Sequence, residues 1–347
     1  MGKRIKAGIL GASGYTGADL VRLLALHPEV EMSLLTANAH AGKPLGAVFP
    51  HLGHLGLPDL ITVEQADWSG LDVVFCALPH ATTQQIVKTL PRALKVVDLS
   101  ADFRLEDPAT YAAWYGHEHY APELQPEAVY GLPEANRSRI AAARLVACPG
   151  CYPTAALLAL LPLVREGLID AEDIVIDAKS GVSGAGRGLK ETLLFCEAGE
   201  GTSPYSVGKH RHAPEIEQEI GKAAGRPVLV NFTPHLVPMS RGELVTCHLR
   251  LAGGASAEGL RDCLQRAYGA ETFVRLLPAG ALPSTQMVRG SNYAAVAVVQ
   301  DRIPGRAIVI AAIDNLVKGS SGQAIQNMNL LFGLPEATAL LQPPLFP

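Results

Sequence analysis

Charge of either sign is scarce in this chain. Asp, Glu, Lys and Arg make up 18% of 347 residues, against 48% hydrophobic, and the formal net charge is only -4. Enough apolar surface is therefore available to offset ordering entropy, which excludes a disordered chain. With no basic excess there is no electrostatic footprint for nucleic acid, and no run of like charge marks a membrane surface. Long apolar runs are missing too. The longest helix-like one, Ala155 to Val164, is interrupted by Pro162 and cannot span a bilayer. Met1-Gly2-Lys3-Arg4 leads directly into strand-like Ile5 to Leu10, too short and without the cleavage pattern of a secretory signal. Cysteines number six, and only Cys148 and Cys151 lie close together. A disulfide scaffold is excluded, and a reduced, cytoplasmic protein is expected.

What the chain does have is alternation. Lys6 to Leu10 reads as a strand, Gly14 to His27 as a helix and Glu31 to Thr36 as a strand. Val73 to Leu78, Ala81 to Leu90 and Lys95 to Leu99 repeat that order, and Arg144 to Ala147 adds a short strand. Such a rhythm predicts an α/β domain with a parallel sheet. A helix from Pro153 to about Glu166 stops at Gly167, and the rhythm then changes. Strands are expected at Ile174 to Ala178, Val228 to Phe232, Leu244 to Leu251, Tyr293 to Val299 and Ala307 to Ile313. Helices are expected near Ala213 to Ala224 and Ser256 to Tyr268. The last two strands, joined at Pro304-Gly305, imply antiparallel pairing. At this length two domains are expected, residues 1–150 and an α+β domain over 151–314, and a final helix of about Gly319 to Phe332 could pack back on either.

Gly11-Ala12-Ser13-Gly14-Tyr15-Thr16-Gly17 falls between the first strand and the first helix. Glycines there permit a tight turn, close approach to a pyrophosphate and helix-on-strand packing, while the helix N-terminus offers amides to the phosphates. The second strand ends at Asn38 with no acidic residue for a ribose 2′-hydroxyl, which favours NADP(H) over strict NAD, although no arginine stands there either. Pro79 and His80 follow another strand end, where cofactors bind. A purely structural turn is the competing reading of the glycines.

Cys151 precedes Tyr152-Pro153-Thr154 and a run of Ala and Leu. Proline suits the first helical position, which sets the thiol at a helix N-terminus, where thiolate is favoured and a covalent catalyst belongs. Gly150 allows backbone amides to approach a developing oxyanion. Cys148 and Cys151 also form C-x-x-C, readable as a redox pair or, with His210 and His212, as a mixed zinc site; no second C-x-x-C supports zinc, and no metal is expected. His210-Arg211-His212 just before a helix supplies candidate acid/base groups. Arg104 follows a strand end, Arg187 closes Ser180-Gly181-Val182-Ser183-Gly184-Ala185-Gly186-Arg187, and Arg241 follows Met239-Ser240. Each is a candidate clamp for an anionic substrate, against the ordinary fate of a surface salt bridge.

The ordered set of these segments resembles the N-acetyl-gamma-glutamyl-phosphate reductases of arginine biosynthesis, over Gly11 to about Gly333. Its marks are the glycine turn, Pro149-Gly150-Cys151-Tyr152-Pro153-Thr154, the Ser180 to Arg187 loop, His210-Arg211-His212 with Pro214-Glu215-Ile216, Phe232-Thr233-Pro234-His235-Leu236, and Asp314-Asn315-Leu316-Val317-Lys318-Gly319. The resemblance implies a Rossmann domain, to which the C-terminal helix of about 315–347 returns, with a dehydrogenase-type α+β domain, NADP(H), and a homodimer or homotetramer. It implies further cofactor contacts from Ser183, Gly184 and Asn315. It also implies attack of Cys151 on an acyl phosphate, release of phosphate, and hydride reduction of the thioester to a semialdehyde. His210 is ranked first for proton transfer with His212 as alternate or positioning partner. Arg104 is ranked first for phosphate, by analogy with aspartate-semialdehyde dehydrogenases, with Arg187 and Arg241 after it. Two positions depart from the family's habit: Asn38 replaces a frequent arginine, and Cys148 a frequent asparagine or apolar residue. The lysine-pathway counterpart, acting on a carrier-bound aminoadipyl phosphate, is the nearest rival. A non-enzymatic NADP-binding sensor with a Cys148/Cys151 disulfide, and a structural zinc protein, are rivals of other classes.

Overall fold

The computed structural model describes residues 3–346. The described residues form two compact units, one of residues 3–149 with 320–341, the other of 150–319 with 342–346.

The first unit contains β1 (Ile5–Leu10), α1 (Tyr15–Leu24), β2 (Val30–Leu35), β3 (Val73–Cys76), α2 (Thr82–Thr89), β4 (Lys95–Asp98), α3 (Pro108–Tyr115), β5 (Ala128–Tyr130), α4 (Pro133–Ala141) and β6 (Leu145–Ala147). Its sheet runs β2-β1-β3-β4-β6-β5 with every pair parallel. Strands buried on both faces need continuous apolar runs, and Val73–Cys76 and Leu145–Ala147 are buried throughout. The strand order reverses at β1 and β3, so the carboxyl ends of these strands are where an open α/β sheet takes ligands. Besides the one-turn helix Leu45–Val48, two longer helices lie outside the expected set. α3 is started by the Asp107 carboxylate, which caps the amides of Ala109 and Thr110 ahead of Pro108. α4 also begins on a proline, Pro133.

The helix Gly322–Leu331 packs on α4 and β4 and is buried on nearly every side. Its polar residues are tolerated because their amides find partners. Asn327 Nδ2 donates to Gly131 O at 2.9 Å, and Asn329 Oδ1 lies 2.9 Å from His27 Nε2. A π-turn, Val317–Ser321, precedes this helix, which therefore starts later than its expected Gly319.

The second unit contains α5 (Cys151–Arg165), β7 (Ile169–Gly181), β8 (Ser203–Pro204), α6 (Ala213–Ala224), β9 (Asn231–Val237), β10 (Glu243–Leu251), α7 (Ala257–Tyr268), β11 (Val274–Leu276), β12 (Ala294–Gln300) and β13 (Arg306–Ile313). The mixed sheet is ordered β11-β12-β13-β10-β7-β9-β8, and β12 and β13 pair antiparallel as expected. α5 lies against β7, β10 and β13, with α6 and α7 packed on it. That burial explains why its Ala and Leu residues show no polar face. Two expectations shift. α5 begins at Cys151, not Pro153, so the proline is its third residue, a place where its missing N–H still costs no bond. The expected strand Val228 to Phe232 is instead Asn231–Val237, which runs through Pro234; only the two-residue β8 lies on its far side, and a near-edge strand accommodates proline.

Candidate active site

Within the first unit, the three glycines after β1 divide their work. Gly11 sits at φ +82°, and a Cβ there would come 2.3 Å from Ala77 O. A Cβ on Gly17 would come 2.4 Å from Gly11 O, so α1 crosses the turn too closely for any side chain. Gly14 is different. Its added Cβ would meet only Gly11 O, at an ordinary 3.5 Å. The fold does not require that glycine, which leaves close approach of a ligand as the reason for it. Gly14 is also the N-cap of α1, with no side-chain cap and no acidic residue in the first turn, so the first-turn amides at Tyr15, Thr16 and Gly17 face an anion without competition. The cradle fits a dinucleotide pyrophosphate.

Asn38 lies exposed just beyond β2, opening a turn in which its carbonyl accepts from Ala41 N at 3.2 Å. Pro79 and His80, also exposed, follow β3. His80 lies edge-on to Tyr115, and next to it Ala81 is held at φ +69° by Asp102 Oδ1, which accepts its N–H at 2.8 Å. Arg104 is 8% exposed, and its Nε and Nη2 donate to the carbonyls of Cys148 (2.8 Å) and Leu99 (3.1 Å). Two of its donors thus tie the ends of β4 and β6 together. Cys148 is buried, receives Asn327 Nδ2 at 3.5 Å, and burial pushes its thiol up to about 12. Such a thiol is a poor redox partner.

Within the second unit, Cys151 is the first residue of α5, half-buried, with Gly150 as an N-cap lacking any side-chain cap. Fifteen residues of aligned peptide dipoles end at this sulfur. Of the other five cysteines, Cys76, Cys148, Cys247 and Cys263 are buried with thiols raised by burial, and Cys196 is exposed on the short helix Phe195–Ala198. Gly150 N donates to Glu215 Oε1 at 2.8 Å, fixing the turn into α5 from α6.

His212 stands directly at this turn. A Cβ on Gly150 would fall 2.3 Å from His212 Nε2, so the imidazole occupies the space that glycine leaves. His210 is set back among Tyr152, Tyr205 and Phe232, and its Nδ1 accepts the N–H of His212 at 3.1 Å. Burial, with the charge of Arg211, pulls His210 down to about 4, so it is neutral at physiological pH.

Ser183, Gly184 and Asn315 also come together. Asn315 Nδ2 donates to Ser183 Oγ at 2.9 Å, its Oδ1 accepts from Gly242 N at 2.8 Å, and a Cβ on Gly184 would fall 2.9 Å from Ser180 Oγ. Asn315 locks two loops, an architectural duty that its motif did not disclose. Arg241 lies 3.6 Å from the buried Asp314, beside Gly242, whereas Arg187 is exposed on its loop. Among the described residues no group of three or more His, Cys, Asp or Glu is placed to hold a metal ion, and no helix is long and apolar enough to cross a membrane. Glu215 escaped the sequence reading as a site residue, and so did Glu243. Glu215 carries no signal of its own beyond its place in Pro214-Glu215-Ile216. Glu243 had a signal: it is in phase with the apolar Val245, Cys247 and Leu249 of its strand.

Comparison with known proteins agrees with this division. Residues 6–143 match the family model described as semialdehyde dehydrogenase, NAD binding domain, and residues 151–315 match semialdehyde dehydrogenase, dimerisation domain. An N-acetyl-gamma-glutamyl-phosphate reductase of Rhodospirillum rubrum is 59% identical over the whole of both chains. The chain belongs to the N-acetyl-gamma-glutamyl-phosphate reductase family. A probable chloroplastic member from Arabidopsis thaliana is 56% identical, over 99% of this chain and 86% of its own. In fold, the crystal structure of aspartate semialdehyde dehydrogenase II from Vibrio cholerae superposes with a TM-score of 0.72 at 19% identity, covering 95% of this chain and 99% of that one. The α/β dinucleotide-binding architecture with a second, α+β unit is thus shared well beyond the reductase family.

Proposed function

We propose that the chain reduces N-acetyl-gamma-glutamyl phosphate to the corresponding semialdehyde with release of phosphate, through a thioester on Cys151, with NADPH as the nicotinamide cofactor. The observation that carries this reading is the sulfur of Cys151, accessible at the uncapped start of a 15-residue helix. Its sulfur attacks the acyl carbon; an S–C bond forms and the C–O bond to phosphate breaks. A nicotinamide held at the glycine turn would supply the hydride that reduces the thioester. The C–S bond then breaks, the semialdehyde leaves and the thiol is restored.

His212, at Gly150, is the group assigned to protonate the departing phosphate, and neutral His210 orients it through the His212 N–H. This reverses the order expected from sequence. Arg241 is favoured for the substrate anion, because Arg104 spends two donors on backbone carbonyls. NADP over NAD is supported by the acid-free stretch after β2: no Asp or Glu occurs between Glu31 and Asp59, so nothing there repels a 2′-phosphate. A homodimer or homotetramer is supported by the dimerisation-domain match and by the exposed Leu189, Leu194, Phe195 and Val207. A cytoplasmic setting is supported by six free cysteines.

The deciding assay follows phosphate-dependent reduction of NADP+ by N-acetylglutamate semialdehyde, with NAD+ in parallel. Turnover should require phosphate and favour NADP+, and Cys151→Ser should abolish it while NADPH still binds. Near-normal turnover in that variant would end the covalent reading.

A further inference from the structure

Glu243 plays no part in the chemistry above. It opens β10 in phase with Val245, Cys247 and Leu249, on the buried side of a strand that α5 packs against. Its side chain is 0% exposed, and neither carboxyl oxygen meets an N–H or O–H donor in hydrogen-bonding geometry. Burying an unpaired carboxyl is costly, so a function is the natural reason to keep one. The neighbourhood names that function. Directly across the ladder from Glu243 is Ile313. A Cβ on Gly319 would fall 3.2 Å from Ile313 Cδ1 and 2.8 Å from Cys151 Cβ, so the cross-strand partner of Glu243 and the reactive cysteine border the same point.

We propose that Glu243 is the proton partner of Cys151, taking the thiol proton as the sulfur attacks and returning it as the semialdehyde leaves. The inference rests on Cys151 being the nucleophile. On attack the S–H bond breaks and an O–H bond forms at Glu243, so thiolate and neutral acid together carry one negative charge. When the C–S bond later breaks, the expelled thiolate takes that proton back. The proton needed by departing phosphate comes from His212, which reloads from solvent. Glu243 therefore ends each turnover as it began.

The ionisable groups around Glu243 are Cys151 and Tyr152 from α5, Tyr205 from the segment before α6, and Asp314 beyond β13, itself 3.6 Å from Arg241. Burial raises Glu243 to about 8; the Cys151 thiol opposes the rise and the charge of Asp314 adds to it. Burial raises both tyrosines as well, and they stay neutral. A carboxyl titrating close to neutrality is suited to exchanging a proton in both directions.

The test uses Glu243→Gln in a Cys196→Ser background, which removes the other accessible thiol. Carbamidomethylation of Cys151 by iodoacetamide is timed from pH 5.5 to 9.5 without cofactor or substrate, and peptide mass mapping verifies the site. The parent should show two steps in its profile, one for each proton of the pair. The variant should show one step, because its Cys151 no longer faces a second titrating group. Glu243→Met, similar in length and without a charge, should melt at least as high as the parent. Superimposable profiles would overturn the proposal, and so would a lower melting temperature in both variants, which would mark Glu243 as structural. Turnover of the parent after alkylation tests the nucleophile by itself: if activity survives, the fault lies with Cys151 and not with Glu243.

Discussion

Two alanine substitutions, three residues apart, separate folding from binding in the glycine turn. At Gly17 the new Cβ would fall 2.4 Å from Gly11 O and 2.6 Å from Ala12 Cα, both backbone atoms that cannot rotate away. Overpacking of this kind costs about 1–3 kcal/mol, and immovable neighbours place it at the upper end. Better helix propensity returns about 1 kcal/mol, for a net loss of about 2 kcal/mol. At Gly14 the Cβ would meet only an ordinary 3.5 Å contact, and the backbone stands at φ -85°. The fold should lose about 1 kcal/mol or less there, as a poorer N-cap. The methyl group would, however, stand in the approach to the first-turn amides. Losing one charge-assisted hydrogen bond to a pyrophosphate costs about 1.5–3 kcal/mol, which weakens binding by about 10- to 100-fold. Thermal melts without ligand and fluorescence titration with NADPH read the two effects separately. Gly17→Ala should melt clearly lower; Gly14→Ala should melt close to the parent and bind at least tenfold more weakly. Parental affinity in Gly14→Ala would refute the assignment of this turn to the pyrophosphate.

Two further outcomes are expected. His212→Ala should lower turnover on the order of 10²-fold, as loss of an acid/base group does, and His210→Ala by less than tenfold; the reverse order, in steady-state kinetics on folded variants, would return the proton role to His210. The buried Glu243 also imprints a pH dependence on stability. Its folded pKa is raised, to about 8, so its contribution is fully present below the ordinary carboxylate range and is lost as pH climbs through 8. The stability advantage of Glu243→Met over the parent should therefore grow from about pH 5 to 8 and then level off, and denaturant unfolding at several pH values that shows a constant difference would contradict it.

Periodicity carried the reading of the fold, and its failures have local causes. Most strands of both sheets announce themselves because each buried face needs apolar residues at every position or every second one; β5, β8 and β11, of two or three residues each, do not. α3 and α4 do not, because their signal lies in caps and prolines, not in an apolar stripe. Pro153 pointed to the right helix with an offset of two residues, since proline is harmless throughout a first turn. Glycine identity was legible at residues 11–17, but only coordinates distinguish Gly17, which the backbone demands, from Gly14, which it does not. His210 and His212 are alike in sequence. They part company only when a neighbour, Gly150, is found to make room for one of them.

The helix Gly322–Leu331 has a consequence for biosynthesis. It belongs to a unit whose first 149 residues leave the ribosome early, and every amide it contributes arrives only after residues 150–319 of the second unit have been made. Until then His27 lacks Asn329, Gly131 O lacks Asn327, and the apolar flanks of α4 and β4 stand in water. The dinucleotide-binding half is thus begun first and completed only after most of the other half has been translated. A fragment stopped at residue 149 should be sticky and ill-folded, and a stable isolated half needs residues 320–341 grafted onto it.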